Sequence, residues 1–163
     1  MKRQTDLELI GYIGKYGCFF MCMTYWLSAK KGHEIAYDFL NVLWMNAIAK
    51  GIISGDVNND GDMDDGNELL ILDKEKLLRL AGVDMRYVGS FAPNAVAKQD
   101  GAYFIGEMYN ERTKFTHFVG LDKDLKVEYD PIPKHFLQFC FAFTRRCQSG
   151  FISCMIITSY KYT

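Results

Sequence analysis

The stretch "KYGCFFMCMTYW", Lys15 to Trp26, decides how the rest of the chain is read. A glycine and a cysteine open a run that is apolar on almost every side, and residues 18 to 30 continue it. A helix without a polar face belongs in the interior. Its first residue, Cys18, then sits at the positive end of the helix dipole among unpaired backbone N–H groups, a setting that lowers a thiol's pKa. Gly17 beside it leaves space for a substrate backbone to approach. The same residue also suits a small core position, so the rest of the chain has to separate nucleophile from core.

Working outward, "HEIAYDFLNVLWMNAIAKG" reads as a second helix, with Ile35, Phe39, Val42 and Leu43 as its apolar face and Gly51 as its stop. "DKEKLLRLAGV" reads as a third, capped by Asp73 and ended by Gly82. The period then changes to two. "GAYFIGEMY", "THFVGL", "KVEYD", "HFLQFCFAF" and "FISCMIIT" read as strands, the last two as a buried hairpin, with turns at "YNERTK", "DKD" and "RRCQSG". Helices first and an antiparallel sheet second make the class α+β, in one domain over residues 1–163.

The bulk properties agree. A chain of 163 residues, 49% apolar and with 3 prolines, is long enough for one real core and shows no low-complexity tract. A net charge of -1 gives no electrostatic basis for binding nucleic acid or an anionic membrane surface. The start, "MKRQTDLELIGYIGKYG", is too polar for a secretory signal, and the C-terminal apolar runs are too short to span a bilayer. The sequence therefore places the protein in the cytoplasm, without membrane insertion. Five cysteines, at spacings unlike a paired zinc motif, read as free thiols in a reducing compartment.

A nucleophilic Cys18 needs a base and a group to hold that base. Three histidines are candidates. His33 starts the second helix, where it caps or faces solvent, and His135 follows "DPIPK" in a loop. His117 lies on a strand beside the one that carries Asp130. With Lys123 and Asp124 as a two-residue turn, Gly120 falls opposite Val127, Phe118 opposite Tyr129 and His117 opposite Asp130. Directly opposed residues share a face with Cβ atoms about 5 Å apart. Asp130 could then accept from the imidazole and fix its tautomer.

These residues resemble the papain-like cysteine peptidases, in particular the bacteriocin-processing group that removes double-glycine leaders. "YGC" at the head of the first helix resembles the nucleophile motif, and "THFVGLDKDLKVEYDP" resembles the histidine strand, hairpin and Asp-Pro ending. The likeness spans residues 10 to 135. It implies a papain-like fold with Cys18 as nucleophile, His117 as general base and Asp130 as its orienting partner. It also implies a peptide or protein substrate and no cofactor for catalysis. The family's glutamine, six residues before the cysteine, is Tyr12 here, and the nearest upstream glutamine, Gln4, is fourteen residues away. Loss of one oxyanion donor costs on the order of 100-fold in rate. Two other readings follow: an inactive domain that binds a peptide or protein in the same cleft, and a cell-wall peptide amidohydrolase of the same superfamily.

One further motif stands apart. "DVNNDGDMDDGNE", residues 56–68, resembles an EF-hand or single dockerin loop, with Asp56, Asn58, Asp60, Asp62, Asp64 and Glu68 as oxygen ligands for a structural calcium ion. Position twelve is Asn67, with Glu68 one place late. Without the loop's six acids the 19 basic residues would face 14 acids, a balance of +5. Such a density of negative charge calls for solvent or a cation.

Overall fold

The computed structural model describes residues 1–63, 69–83, 85–91, 101–110, 115–132 and 151–159. In chain order these form α1 (Gly11–Tyr16), α2 (Cys18–Lys31), α3 (Tyr37–Ala49), α4 (Lys74–Leu80), β1 (Met85–Phe91), β2 (Ala102–Asn110), β3 (Phe115–Leu121), β4 (Val127–Tyr129) and β5 (Phe151–Ser159). The class is α+β. The five strands make one sheet in the order β1-β5-β2-β3-β4, and every neighbouring pair is antiparallel. Among the described residues no helix is long and apolar enough to cross a membrane.

The sheet exists to cover α2. Cys18, Phe19, Phe20, Met21, Cys22, Met23, Thr24, Trp26 and Leu27 are all buried, so the helix is wrapped on every side. Trp26 donates its indole N–H to the Phe104 carbonyl at 2.9 Å and fixes the helix against β2. Below that ring β3 carries Gly120, where an added Cβ would lie 3.2 Å from the Tyr129 Cβ and 3.5 Å from the indole. Phe19 meets Phe118 of β3 edge-on at 5.2 Å. Gly32, with φ +71, ends the helix in the left-handed conformation that glycine adopts without strain.

The third helix turns a different face inward from the one its sequence proposes. Leu40, Leu43, Trp44 and Ala47 are buried, whereas Phe39 is 38% and Val42 57% exposed. Trp44 decides the rotation: it is fully buried and packs edge-on against Phe20 of α2 at 5.0 Å. Ile35 is buried as expected, just before the helix begins. The fourth helix follows its sequence signals. Asp73 accepts from the Lys76 N–H at 2.9 Å, Gly82 follows the last turn with φ +70, and Glu75 accepts from the Tyr87 N–H at 2.8 Å to tie α4 to β1.

Three features of the sheet differ from the sequence reading, the first being β1 at Met85–Phe91, which that reading did not include. β5 does not sit beside a preceding hairpin partner: over Cys154–Thr158 it is paired on one edge with β1 and on the other with β2, while the run at 135–143 lies outside the described residues. The β3–β4 turn is also wider than two residues. Asp122 and Lys126 close it through an N–H to carbonyl bond of 2.8 Å, Leu125 takes φ +61, and Asp122 Oδ1 accepts from both Asp124 and Lys126 at 2.8 Å. Gly120 therefore pairs with Tyr129 and Leu121 with Val127.

Truncation of the ring that orients α3 separates these two faces. Trp44→Ala is expected to destabilise the protein by about 3–5 kcal/mol, and Val42→Ala by no more than about 0.5 kcal/mol. Urea denaturation of both variants checks this.

Candidate active site

Cys18 stands at the head of α2 because the chain makes a sharp joint there. α1 ends at Tyr16, and Gly17 serves at once as its C-cap and as the N-cap of α2. A Cβ on Gly17 would lie 2.5 Å from the Ile13 carbonyl oxygen and 2.8 Å from an Ile13 side-chain carbon. The glycine is thus demanded by the packing of one helix end on the next, rather than by room for a substrate. The joint leaves Cys18 9% exposed with its helix running inward.

His117 and Asp130 meet although the register differs from the expected one. Relative to a two-residue turn the ladder is displaced by one residue at Leu121–Val127, and an irregularity between Leu121 and Gly120 makes the displacement two from Gly120–Tyr129 onward, toward His117. A displacement of two preserves side-chain parity, whereas a displacement of one would invert it. Asp130 becomes a diagonal neighbour of His117 instead of a direct one, still within reach of a long polar side chain. β4 ends at Tyr129, so Asp130 is free of the ladder. His117 Nε2 donates to Asp130 Oδ1 at 2.9 Å, and the same oxygen accepts from the Ile132 N–H at 2.9 Å.

Nε2 is committed to the carboxylate, so Nδ1 is the ring atom that can serve the thiol. His117 is 1% exposed, and burial pulls its pKa down. The hydrogen bond His117 donates to Asp130 and the interaction with Cys18 outweigh that, raising it from 6.5 to about 9. Cys22, one turn further along α2, is fully buried, and burial together with Cys18 and Asp130 pushes its thiol pKa up. It is a core residue. The three residues expected to act together, Cys18, His117 and Asp130, are brought together.

The N-terminal segment completes the site, which no motif signalled. Tyr129 donates its hydroxyl to the Lys2 carbonyl at 2.9 Å, Arg3 Nη1 donates to the Asp130 carbonyl at 2.9 Å, and the Gln4 N–H donates to the Pro131 carbonyl at 2.9 Å. These bonds hold the backbone on both sides of the acid. Tyr12, in the place of the expected glutamine, is half-buried on α1 and lines a cleft with Ile10, Lys15 and Met45. A separate cavity of about 370 Å³ lies further along α2, between Met21, Tyr25, Ile35, Leu40 and Tyr129, and contains none of the three. His33 is exposed ahead of α3, and His135 lies outside the described residues.

The acidic loop leaves a closed stem. Ile53 bridges Ile71, and Ser54 exchanges backbone hydrogen bonds with Leu69 and Leu70. Asp56 Oδ1 and Asn58 Oδ1 converge on the Asp60 N–H at 3.2 and 2.9 Å, Asp56 Oδ2 accepts from Gly61 at 2.8 Å, and Asp60 Oδ1 accepts from Asp62 at 2.8 Å. Gly61 takes φ +86. Asp64 and Glu68 lie outside the described residues. Among the described residues no group of three or more His, Cys, Asp or Glu side chains could hold a metal ion.

The raised His117 pKa fixes a pH dependence. A histidine held above its unfolded value near 6.5 stabilises the fold fully below that pH, and the contribution is lost as pH rises through about 9. Stability in urea is expected to fall between these limits by up to about 1.4 kcal/mol per pH unit. Asp130→Asn is expected to flatten that slope.

No curated protein and no solved structure matches the chain. A family model described as "Protein of unknown function, DUF261" matches residues 1–138, a span that includes α1 to α4 and the whole Cys18, His117 and Asp130 arrangement, and the chain belongs to that family.

Proposed function

We propose that the protein is a thiol hydrolase of papain-like architecture, cleaving a peptide or amide bond through Cys18, His117 and Asp130. The observation that carries this reading is the His117–Asp130 pair: Nε2 bonds Asp130 Oδ1 at 2.9 Å, which leaves Nδ1 for the thiol at the head of α2. Asp130 as acceptor fixes the tautomer that leaves Nδ1 as the base. Proton transfer from Cys18 to Nδ1 yields a thiolate–imidazolium pair. The thiolate attacks the carbonyl carbon, the imidazolium returns its proton to the leaving amine, and a thioester forms. Water, deprotonated by the same nitrogen, then releases the acid and restores the thiol.

A second reading has its own support. The site is nearly closed, with Cys18 9% and His117 1% exposed, and Tyr12 holds the position of the family's glutamine. These features favour a non-catalytic domain that binds a peptide or protein. A cell-wall peptide amidohydrolase would use the same three side chains, and the substrate alone distinguishes it from a peptidase.

Calcium at the acidic loop belongs to the same proposal. Support comes from the convergence of Asp56 and Asn58 oxygens around the turn at Gly61, between α3 and α4. Its role there would be structural. Isothermal titration is expected to show calcium binding that Asp56→Ala abolishes, and a titration without heat would remove the ion from the account.

The decisive measurement is Cys18 alkylation by iodoacetamide against pH, followed by peptide mass mapping. Cys18 is expected to be alkylated fast near neutral pH, and His117→Ala to slow that reaction. An alkylation rate that is the same in both proteins would favour the binding domain. Cys18→Ala is expected to abolish turnover while leaving the urea midpoint nearly unchanged.

A further inference from the structure

The joint between α1 and α2 has a feature that helix geometry makes informative. In a continuous helix each N–H bonds the carbonyl four residues back, so the Cys18 amide would be bonded to Gly14. Here α1 closes with Gly14 to Ile10 and Gly17 to Ile13, α2 opens with Met21 to Gly17, and Gly17 belongs to neither helix, so the ladder is broken at the joint. The Gly14 carbonyl instead accepts from the side chain of Gln4, Nε2 to oxygen at 2.9 Å. Gln4 is 3% exposed, and its own backbone N–H bonds Pro131, the residue after Asp130. One buried side chain thus occupies the acceptor that would otherwise claim the nucleophile's amide, and one backbone bond of the same residue holds the acid's segment.

We propose that Gln4 is a positioning residue which, by capping the Gly14 carbonyl, keeps the Cys18 backbone N–H available at the head of α2 to stabilise the oxyanion formed when Cys18 attacks a carbonyl. The inference rests on the reading of Cys18 as a nucleophile. Gln4 does not touch the reacting atoms: its amide points at Gly14, and its effect passes through the backbone. Without it, the Gly14 carbonyl has a ready alternative donor in Cys18, and α1 and α2 can merge across Gly17. The geometry also gives the substitution of Tyr12 a consequence, because the oxyanion site then depends on the amide that Gln4 protects.

The test compares two reactions of the same thiol. Acylation by p-nitrophenyl acetate forms a sulfur–carbon bond, passes through a tetrahedral oxyanion, and expels p-nitrophenolate as the carbon–oxygen bond breaks. Alkylation by iodoacetamide displaces iodide and forms no oxyanion. Both are followed at Cys18 by mass mapping in the full chain. Gln4→Met, which keeps the volume and cannot donate, is expected to slow acylation on the order of 100-fold and to leave the alkylation rate and its pH profile within about twofold. An equal fall in both rates, or no fall in either, would overturn the inference and leave the nucleophile standing. A wild-type Cys18 inert to both reagents would overturn the proposed function and this inference with it. If Gln4→Met does not fold, NMR of the wild type decides: no through-hydrogen-bond coupling is expected between the Cys18 amide and the Gly14 carbonyl, and a coupling there would overturn the inference.

Discussion

A helix of fourteen residues with no polar face must be enclosed, and the rest of the fold answers that requirement. β2 and β3 cover one side of α2 through Phe104, Phe118 and Gly120, and α3 covers another through Trp44. Tyr25, on the flank nearest β4, stacks on Tyr129 with ring centroids 4.4 Å apart. Each covering element is held by a contact with α2 itself, so displacement of the helix would loosen them together.

Enclosure also governs the chemistry. Burial alone would keep an imidazole neutral and a thiol protonated. The Asp130 carboxylate reverses that for His117, which gains a higher pKa despite being almost fully buried. Cys22 has no such partner, and burial raises its thiol pKa and keeps it protonated. The two cysteines of α2, a single turn apart, thus differ in surroundings: Cys18 stands at the head of the helix beside His117, and Cys22 is fully buried in the core.

The N-terminal segment links these two effects. Lys2, Arg3 and Gln4 bond to Tyr129, Asp130, Pro131 and Gly14, so Asp130 and the helix joint before Cys18 are fastened by the same few residues. A further charged contact steadies this segment: Asp6 accepts from the Arg3 N–H at 2.7 Å and from the Tyr37 hydroxyl at 2.8 Å. In the described part of the acidic loop, Ile53, Ser54 and their partners fasten the stem, Met63 packs against the core, and the carboxylates of Asp56 and Asp60 turn onto the loop's own backbone.

The sequence by itself determined the α+β class, the extent of α2, the cap and stop of α4, and the strands at β2, β3, β4 and β5. Each rests on local periodicity or on a residue with one strong conformational preference. It also proposed Cys18, His117 and Asp130 as a site, and the fold sets His117 against Asp130 with Cys18 at the head of α2. The two-residue turn was the wrong route to that pair, and the parity of a shift by two preserved the result. Other features needed the tertiary structure. The inward face of α3 was set by Trp44 against Phe20, since Phe39 and Val42 are equally apolar and local pattern cannot rank them. The place of β5 between β1 and β2 depends on pairings between strands far apart in the chain, which alternation does not encode. The roles of Gly17 and Gln4 could not be read from spacing either, because both depend on where one helix end meets another segment of backbone.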